Sequence, residues 1–274
     1  MAYKNILVHV DESKNASATL QAACDIALKS DAHVTGVYVI PHVNTPIYVE
    51  ASVPASILEG LEKAGQDAAD KAEELFNKTM ESAGVKYEWY APRGYVDEHI
   101  NRLGRFADLI VIGQGGSVED PRASYTVENN ILMGSARPVL VVPYIGYKNT
   151  IGNHIMVAWN DTKEATRAVN DAMPMLERAS TVDVVSIIDD KTEDDVPSAD
   201  ITLYLARHGV KAEASSAVKK GLSTSDMLLN RAADHGVDLI VMGAYGHSRL
   251  RELVLGGATY NLLRHMTVPI LMSH

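Results

Sequence analysis

The sequence predicts an α/β protein built as two tandem units, each a doubly wound, five-stranded parallel sheet with helices on both faces. Three observations predict it. NILVHVDESKNASATLQAACDIAL at 5–28 has a counterpart in HIMVAWNDTKEATRAVNDAMPML at 154–176, and such self-similarity marks repeated supersecondary units. ADLIVIGQGGS with RPVLVVPY late in the first half matches VDLIVMGAYGHS with VPILMSH late in the second. The strand candidates are short continuous apolar runs, such as 109–112 and 239–242, as expected of parallel strands covered on both faces.

The elements follow in order. After the first strand, Leu20, Ala23, Cys24 and Ala27 recur at helical spacing, with Ser13 placed as an N-cap. A loop at 41–54 precedes a long helix, Ala55–Ala83, stopped by Gly84. The last strand of this half is Val139–Val142, and the junction spans 144–152 with two glycines and no apolar periodicity. In the second half Thr162 is the N-cap and Ala165, Ala168, Val169, Ala172, Met173 and Leu176 form the helical stripe. The counterpart of the long loop, at 189–197, is short, and the last strand is expected at 268–272. The domains are therefore 1–147 and 151–274. The two final strands would be exposed sheet edges, which pair most readily with one another; the expectation is an internal pseudo-dimer.

A chain of 274 residues suits two domains, at roughly 100 to 200 residues each. The net charge of -10, with no basic block, argues against a nucleic-acid partner. No stretch approaches the ~20 apolar residues of a membrane helix, and MAYKNILVHVDES lacks the apolar core of a secretory signal. The single cysteine, Cys24, makes no internal disulfide and suits a reducing compartment. A cytoplasmic protein with no membrane partner is expected.

In open α/β sheets ligands bind beyond the carboxyl ends of the strands, where strand order reverses. In the second half those ends carry Trp159, Asn160 and Asp161; Ile187, Ile188 and Asp189; and Gly243, Ala244, Tyr245, Gly246, His247 and Ser248. Gly256, Gly257, Ala258 and Thr259 then open the last helix. The spacing G-x2-G-x9-G between a strand and a helix suits a phosphate, because glycines admit close backbone approach and a helix start presents unpaired N–H groups. Arg249 and Arg251 add forked donors, Thr259 adds a hydroxyl, and His247 lies inside the loop.

ADHGVDLIVMGAYGHSRLRELVLGGATYNLLRHMTVPILMSH and NILVHVDES resemble the universal stress protein family in its tandem form, over almost the whole chain. The resemblance implies Rossmann-like domains of strand order 3-2-1-4-5 and, in many members, a site for ATP or AMP. By position, Gly243, Gly246 and Gly256 would line the phosphates, with Gly257, Ala258 and Thr259 opening the helix. Asn160 and Asp161 would lie near ribose or adenine, and the backbone at Ile188 near the adenine edge. Gly257 stands where nucleotide-binding members usually have Ser or Thr, and Asn160 where they have an aspartate. The first half is further from the pattern. Gly113 and Gly116 remain, but Tyr125 and Thr126 replace the glycine pair and Glu119 and Asp120 replace the arginines, so no triphosphate is expected there. Asp11 is read as a helix-initiating acid.

Other chemistries lack their signatures. Ala244-Tyr245-Gly246-His247 misses the first histidine of the nucleotidyltransferase signature, and Asp11 and Glu12 have no phosphoacceptor aspartate on a third strand. Neither a G-x4-G-K-[ST] loop nor a complete dinucleotide fingerprint is present. The ten histidines form no metal-ligand pattern, and Cys24 lies on an apolar stripe. No catalytic or metal-binding residue is assigned, with slow ATP hydrolysis the most chemistry allowed. The expectation is a regulatory stress-response protein. It would bind ATP or AMP, with or without Mg, in its second half, and act on an unidentified protein partner. The alternatives are a nucleotide-free structural or partner-binding module, and a different small ligand near 41–54. A homodimer is left open.

Overall fold

The computed structural model describes residues 2–42, 54–115, 121–147, 150–188, 199–219, 221–245 and 257–274. In the first half, β1 (Asn5–His9), α1 (Ala16–Ser30), β2 (His33–Val37), β3 (Ile40–Pro41), α2 (Ala55–Ala83) and β4 (Lys86–Tyr90) come in that order. They are followed by β5 (Arg93–Gly94), α3 (Val96–Gly104), β6 (Leu109–Gly113), α4 (Pro121–Gly134) and β7 (Val139–Val142). The second half comprises β8 (His154–Ala158), α5 (Lys163–Leu176), β9 (Thr181–Ile188), α6 (Ala199–Arg207) and β10 (Ala212–Val218). It ends with α7 (Thr224–His235), β11 (Leu239–Gly243), α8 (Ala258–His265) and β12 (Ile270–Ser273).

Ten strands form one sheet in the order β10-β9-β8-β11-β12-β7-β6-β1-β2-β4, with β3 and β5 paired apart from it. Within each half the major strands run in the order 3-2-1-4-5, and the two final strands pair, so the two five-stranded parallel sets join edge to edge as one mixed sheet. Its one antiparallel ladder is at the centre, where Leu271 of β12 faces Leu140 of β7. The physical reason is that β7 and β12 each have a parallel neighbour on one side only. Pairing them satisfies the remaining backbone groups of two strands that are buried throughout.

Alternation along the strands divides the interior into two cores. Ile6, Val8, Leu109, Val111, Ile155, Val157, Leu239 and Val241 face one side, with the apolar stripes of α1, α2, α5 and α6. Leu7, Ile110, Ile112, Met156, Ile240 and Met242 face the other, with α3, α4, α7 and α8. Each core crosses both halves, so the halves do not bury their apolar surfaces independently. Burying one large aliphatic side chain contributes ~1.5–3 kcal/mol, which makes these shared layers the main source of cohesion.

The long helix α2 ends at Gly84, whose φ of 67° is the left-handed conformation that closes a helix without a Cβ penalty. Ala69, Ala72, Phe76 and Met80 form its buried stripe. A side chain at Gly36 would lie 2.6 Å from the Phe76 ring, so that glycine makes room for α2. Thr162 caps α5 by accepting the Ala165 amide at 3.3 Å. Ser13 does not cap α1, contrary to the sequence reading. Its amide and hydroxyl both donate to Asp11, at 3.0 and 2.6 Å, and the helix starts later, with Asn15 in the N-cap position. The loop expected at 41–54 begins in the short strand β3, and β12 ends one residue beyond the expected 268–272. Residues 43–53 and 189–198 lie outside the described residues.

One device recurs at the amino-terminal ends of the strands. Asp108, just before β6, accepts the backbone amides of Lys4 and Asn5. Asp238, just before β11, accepts those of Gly152, Asn153 and His154 and the hydroxyl of Thr150. Each carboxylate ties the entry of a half's first strand to its fourth major strand. Between the halves, Tyr3 donates to the Asp171 carbonyl at 2.7 Å, Lys29 to the Ile151 carbonyl at 2.9 Å and Arg178 to Ser30 at 3.1 Å.

Candidate functional site

The carboxyl ends of β8 and β11 lie side by side in a parallel pair, from which α5 departs on one face of the sheet while α8 covers the other. This is the kind of crevice where open α/β sheets place ligands. Beyond Ala158, Trp159 is buried and its amide continues the ladder to the Val185 carbonyl at 2.9 Å. Asn160 and Asp161 are exposed. The Asn160 side-chain oxygen accepts the Thr162 hydroxyl at 2.9 Å, which binds Asn160 to the α5 cap. Asp161 has φ of 56°.

Gly243 ends β11 directly against the first turn of α5. A Cβ there would stand 2.5 Å from the Ala165 nitrogen and 2.6 Å from the Glu164 carbonyl carbon. Both are backbone atoms, so the contact admits glycine only. The Ala244 amide donates to the Ser273 carbonyl at 2.8 Å. Tyr245 has φ of 58°, and its ring stands edge-on to His274 at 6.3 Å. The His274 Nδ1 is 3.1 Å from the Ala244 carbonyl oxygen, and Arg167 donates to the His274 carbonyl. Left-handed backbone is uncommon in residues with a Cβ and gathers at functional sites. Of the three such residues among those described, Asp161 and Tyr245 both flank this crevice, and the third, Asp31, closes α1.

Gly257 occupies the N-cap position of α8, Ala258 opens the helix and Thr259 is buried in its first turn. Ile188 is half-buried at the end of β9, and its carbonyl already accepts the Lys219 amide at 2.8 Å. Gly246, His247, Ser248, Arg249, Arg251 and Gly256 lie outside the described residues, as does Asp189. The structure thus brings Asn160, Asp161 and Gly243 together around the start of α5, and sets Gly257, Ala258 and Thr259 at the start of the helix on the opposite face. Burial pushes Glu164 upward, but its own amide, Lys163 and the Thr162 hydroxyl outweigh that and hold it below the usual carboxylate range.

The first half offers the matching position with different chemistry. Val142 faces Gly113 as Ser273 faces Gly243, and counting back fourteen residues along each chain reaches Glu128 and Thr259. Glu128 is buried, and its carboxyl accepts the Gly115 amide. Burial pushes Glu128 up to about 7, with the Gly115 bond pulling down and the charge of Asp11 pushing up further. Burial also lowers the His9 imidazole, with Asp11 opposing. Next to Gly115, Gln114 is buried and reaches into the second half, donating to the Leu263 carbonyl at 2.6 Å and the Arg264 carbonyl at 3.3 Å. Its side-chain oxygen accepts the Tyr144 amide at 2.9 Å. Gly116, Glu119 and Asp120 lie outside the described residues.

Sequence reasoning missed Glu128, Gln114 and His274. The signal for Glu128 was available: aligning the repeats on their last strands, rather than on the glycines, sets it against Thr259. Nothing local marks Gln114, because its partners are far away in the chain. Cys24 is a core residue whose thiol burial, with Asp25 adding, pushes up to about 11. Among the described residues no cluster of three or more His, Cys, Asp or Glu side chains is arranged to hold a metal ion, and no helix is long and apolar enough to cross a membrane.

Comparison with known proteins bears on the fold and the repeat. Universal stress protein Slr1230 of Synechocystis is 50% identical over 38 residues, which are 14% of this chain and 13% of that protein. Universal stress protein MJ0577 of Methanocaldococcus jannaschii is 42% identical over 41 residues, 15% of this chain and 25% of that one. The matched stretches are therefore a minor part of each relative's length. The crystal structure of a universal stress protein from Archaeoglobus fulgidus matches over 98% of this chain and 95% of that one, with a TM-score of 0.76 and 16% identity, a likeness of fold. The model of the universal stress protein family matches residues 2–143 and again 152–274. With both halves matched in turn, the chain belongs to the universal stress protein family, in its tandem two-domain form.

Proposed function

We propose that the second half binds an adenine nucleotide, ATP or AMP, and that occupancy is regulatory rather than metabolic. The observation that carries this reading is the placing of two chain ends: β11 ends at Gly243, beside β8, and α8 opens at Ala258 behind the N-cap Gly257. A glycine-bearing segment between a strand end and a helix start suits a phosphate group, for which backbone N–H groups and the helix dipole are the natural donors. The left-handed Asp161 and Tyr245 at the crevice support it. In this reading Gly243, Gly246, Gly256, Gly257, Ala258 and Thr259 hold the phosphates, with Arg249 and His247 at the loop. Asn160, Asp161 and Ile188 face ribose and adenine. Membership of the family supports a nucleotide-binding, stress-response role in general terms.

No residue is assigned to catalysis. A bound nucleotide regulates only by favouring one of two conformations, and a surface read by a protein partner in the cytoplasm is the form this regulation takes here. The test is to denature the purified protein, chromatograph the released nucleotides, and titrate ATP, with and without Mg, into the emptied protein and its Gly246→Asp variant. Copurified adenine nucleotide, or binding abolished by the variant at unchanged fold, supports the proposal. Absence of binding up to millimolar ATP overturns it. One observation favours a second reading, a nucleotide-free tandem module: packing against α5 alone already requires Gly243 to be glycine.

A further inference from the structure

We infer that Gln114, the residue that follows β6, braces the second half and is a positioning residue for α8, the helix whose first turn belongs to the proposed nucleotide site. The inference rests on that functional reading for its consequence, but its geometry stands apart from it.

A helix leaves its last four carbonyls without partners inside the helix. The α8 helix has only eight residues and ends at Met266 in extended rather than left-handed backbone, so it makes no cap of the glycine type. The side-chain amide of Gln114 supplies the donors instead, from the other half of the molecule, to Leu263 and Arg264. Gln114 is itself held at three points. Its amide donates to the Val142 carbonyl at 2.7 Å, its side-chain oxygen accepts the Tyr144 amide, and the next residue, Gly115, is bound by Glu128. In the second half the residue following the strand-ending glycine is Ala244, which has no such donor.

The consequence is directional. Less than two turns separate Leu263 from Thr259, so the two ends of α8 are linked by consecutive backbone hydrogen bonds. Holding its carboxyl end therefore restrains Gly257, Ala258 and Thr259, which open it. Where the first half binds the Gly115 amide to Glu128 of its own α4, the preceding side chain, Gln114, serves the neighbouring half.

The experiment compares wild type, Gln114→Met, which keeps length but removes the donors, and Asp108→Asn, which loosens the same half at the opposite end of the sheet. Hydrogen exchange is followed residue by residue in α8 without nucleotide, and ATP with Mg is titrated into each protein. Gln114→Met is expected to raise exchange across α8 and weaken ATP binding about tenfold, the scale of losing buried amide donors. Asp108→Asn, at comparable loss of melting temperature, is expected to leave both unchanged within about twofold. Unchanged α8 exchange in Gln114→Met overturns the inference, as does an equal loss of affinity in the two variants. If wild type binds no ATP, the nucleotide reading falls while the exchange data still decide the brace: faster α8 exchange upholds it and unchanged exchange overturns it.

Discussion

The two halves use the same device at one end of the sheet and different devices at the other. At the amino-terminal ends, Asp108 and Asp238 each gather backbone amides at the entry to their half's first strand. At the carboxyl ends the correspondence breaks. Thr259 stands where Glu128 stands, Ala244 where Gln114 stands, and α8 has eight residues where α4 has fourteen. The strand bases carry the fold, so both copies need the same bonds there. Just past the strand ends the two copies differ, and in the first half the amide of Gly115 is bound by the half's own Glu128. At the described start of the first-half loop a side chain satisfies the Gly115 amide, and by our proposal a ligand takes the corresponding role in the second half.

The largest expected effect tests the tightness of the two glycines. Gly243→Ala forces a Cβ against backbone atoms of α5 and is expected to cost about 3 kcal/mol in urea unfolding, the upper range for overpacking. Gly113→Ala meets the Thr19 hydroxyl at 3.1 Å and Asp11 at 3.6 Å, side-chain atoms that can shift, and is expected to cost under about 1 kcal/mol. Equal losses would end the distinction between the two strand ends.

Next, Thr259→Glu gives the second half the acid of the first. If the identity of this residue separates the halves, ATP affinity falls about a hundredfold by calorimetry on the folded variant, equivalent to ~2.7 kcal/mol. Retained affinity would place the difference elsewhere in the loop.

The third prediction concerns pH. A carboxyl raised from its ordinary 4.5 to about 7 in the folded protein binds its proton more tightly folded than unfolded. Its contribution is therefore fully present below about 4.5 and is lost as pH rises toward and through 7. Glu128→Gln is expected to flatten that fall and to be more stable than wild type at pH 8 by about 2 kcal/mol, read from denaturation midpoints across pH 4–8. Asp11 also faces this group and remains in both proteins. A wild type whose stability is flat across this window would remove the buried acid from the comparison.

The smallest effect separates the two helix starts. Thr162→Ala removes a real cap and is expected to cost about 1 kcal/mol. Ser13→Ala, which removes two exposed bonds, the one donated to Asp11 and the one accepted from the Asn15 amide, is expected to stay within about 0.5 kcal/mol.

Much of the fold was legible because periodic burial is a local property. The stripes of α1 and α5, the extent of α2 up to Gly84, and the apolar strands at 109–112 and 239–242 follow from spacing that any fold must respect. Ser13 was misjudged because the same hydroxyl can accept a helix amide or take part in a turn before the helix; here it donates to Asp11, two residues away, and accepts only the Asn15 amide, ahead of the first helical residue. Of the candidate site, residue types and chain order were legible, including the helix opening at Ala258.

By itself, then, the sequence determined the repeat, the layered α/β class and the placing of glycines, Asn160 and Asp161 at strand ends, because these depend on residues within one or two turns of each other. Tertiary structure alone decided the antiparallel register in which β7 and β12 join, that Gly243 is wedged against α5, that Glu128 binds the Gly115 amide, and that Gln114 of one half caps a helix of the other. Each of those joins groups brought together by packing rather than by spacing, and no local period records them. Burial is what makes them consequential, since a polar group removed from water must find its partner wherever the fold provides one.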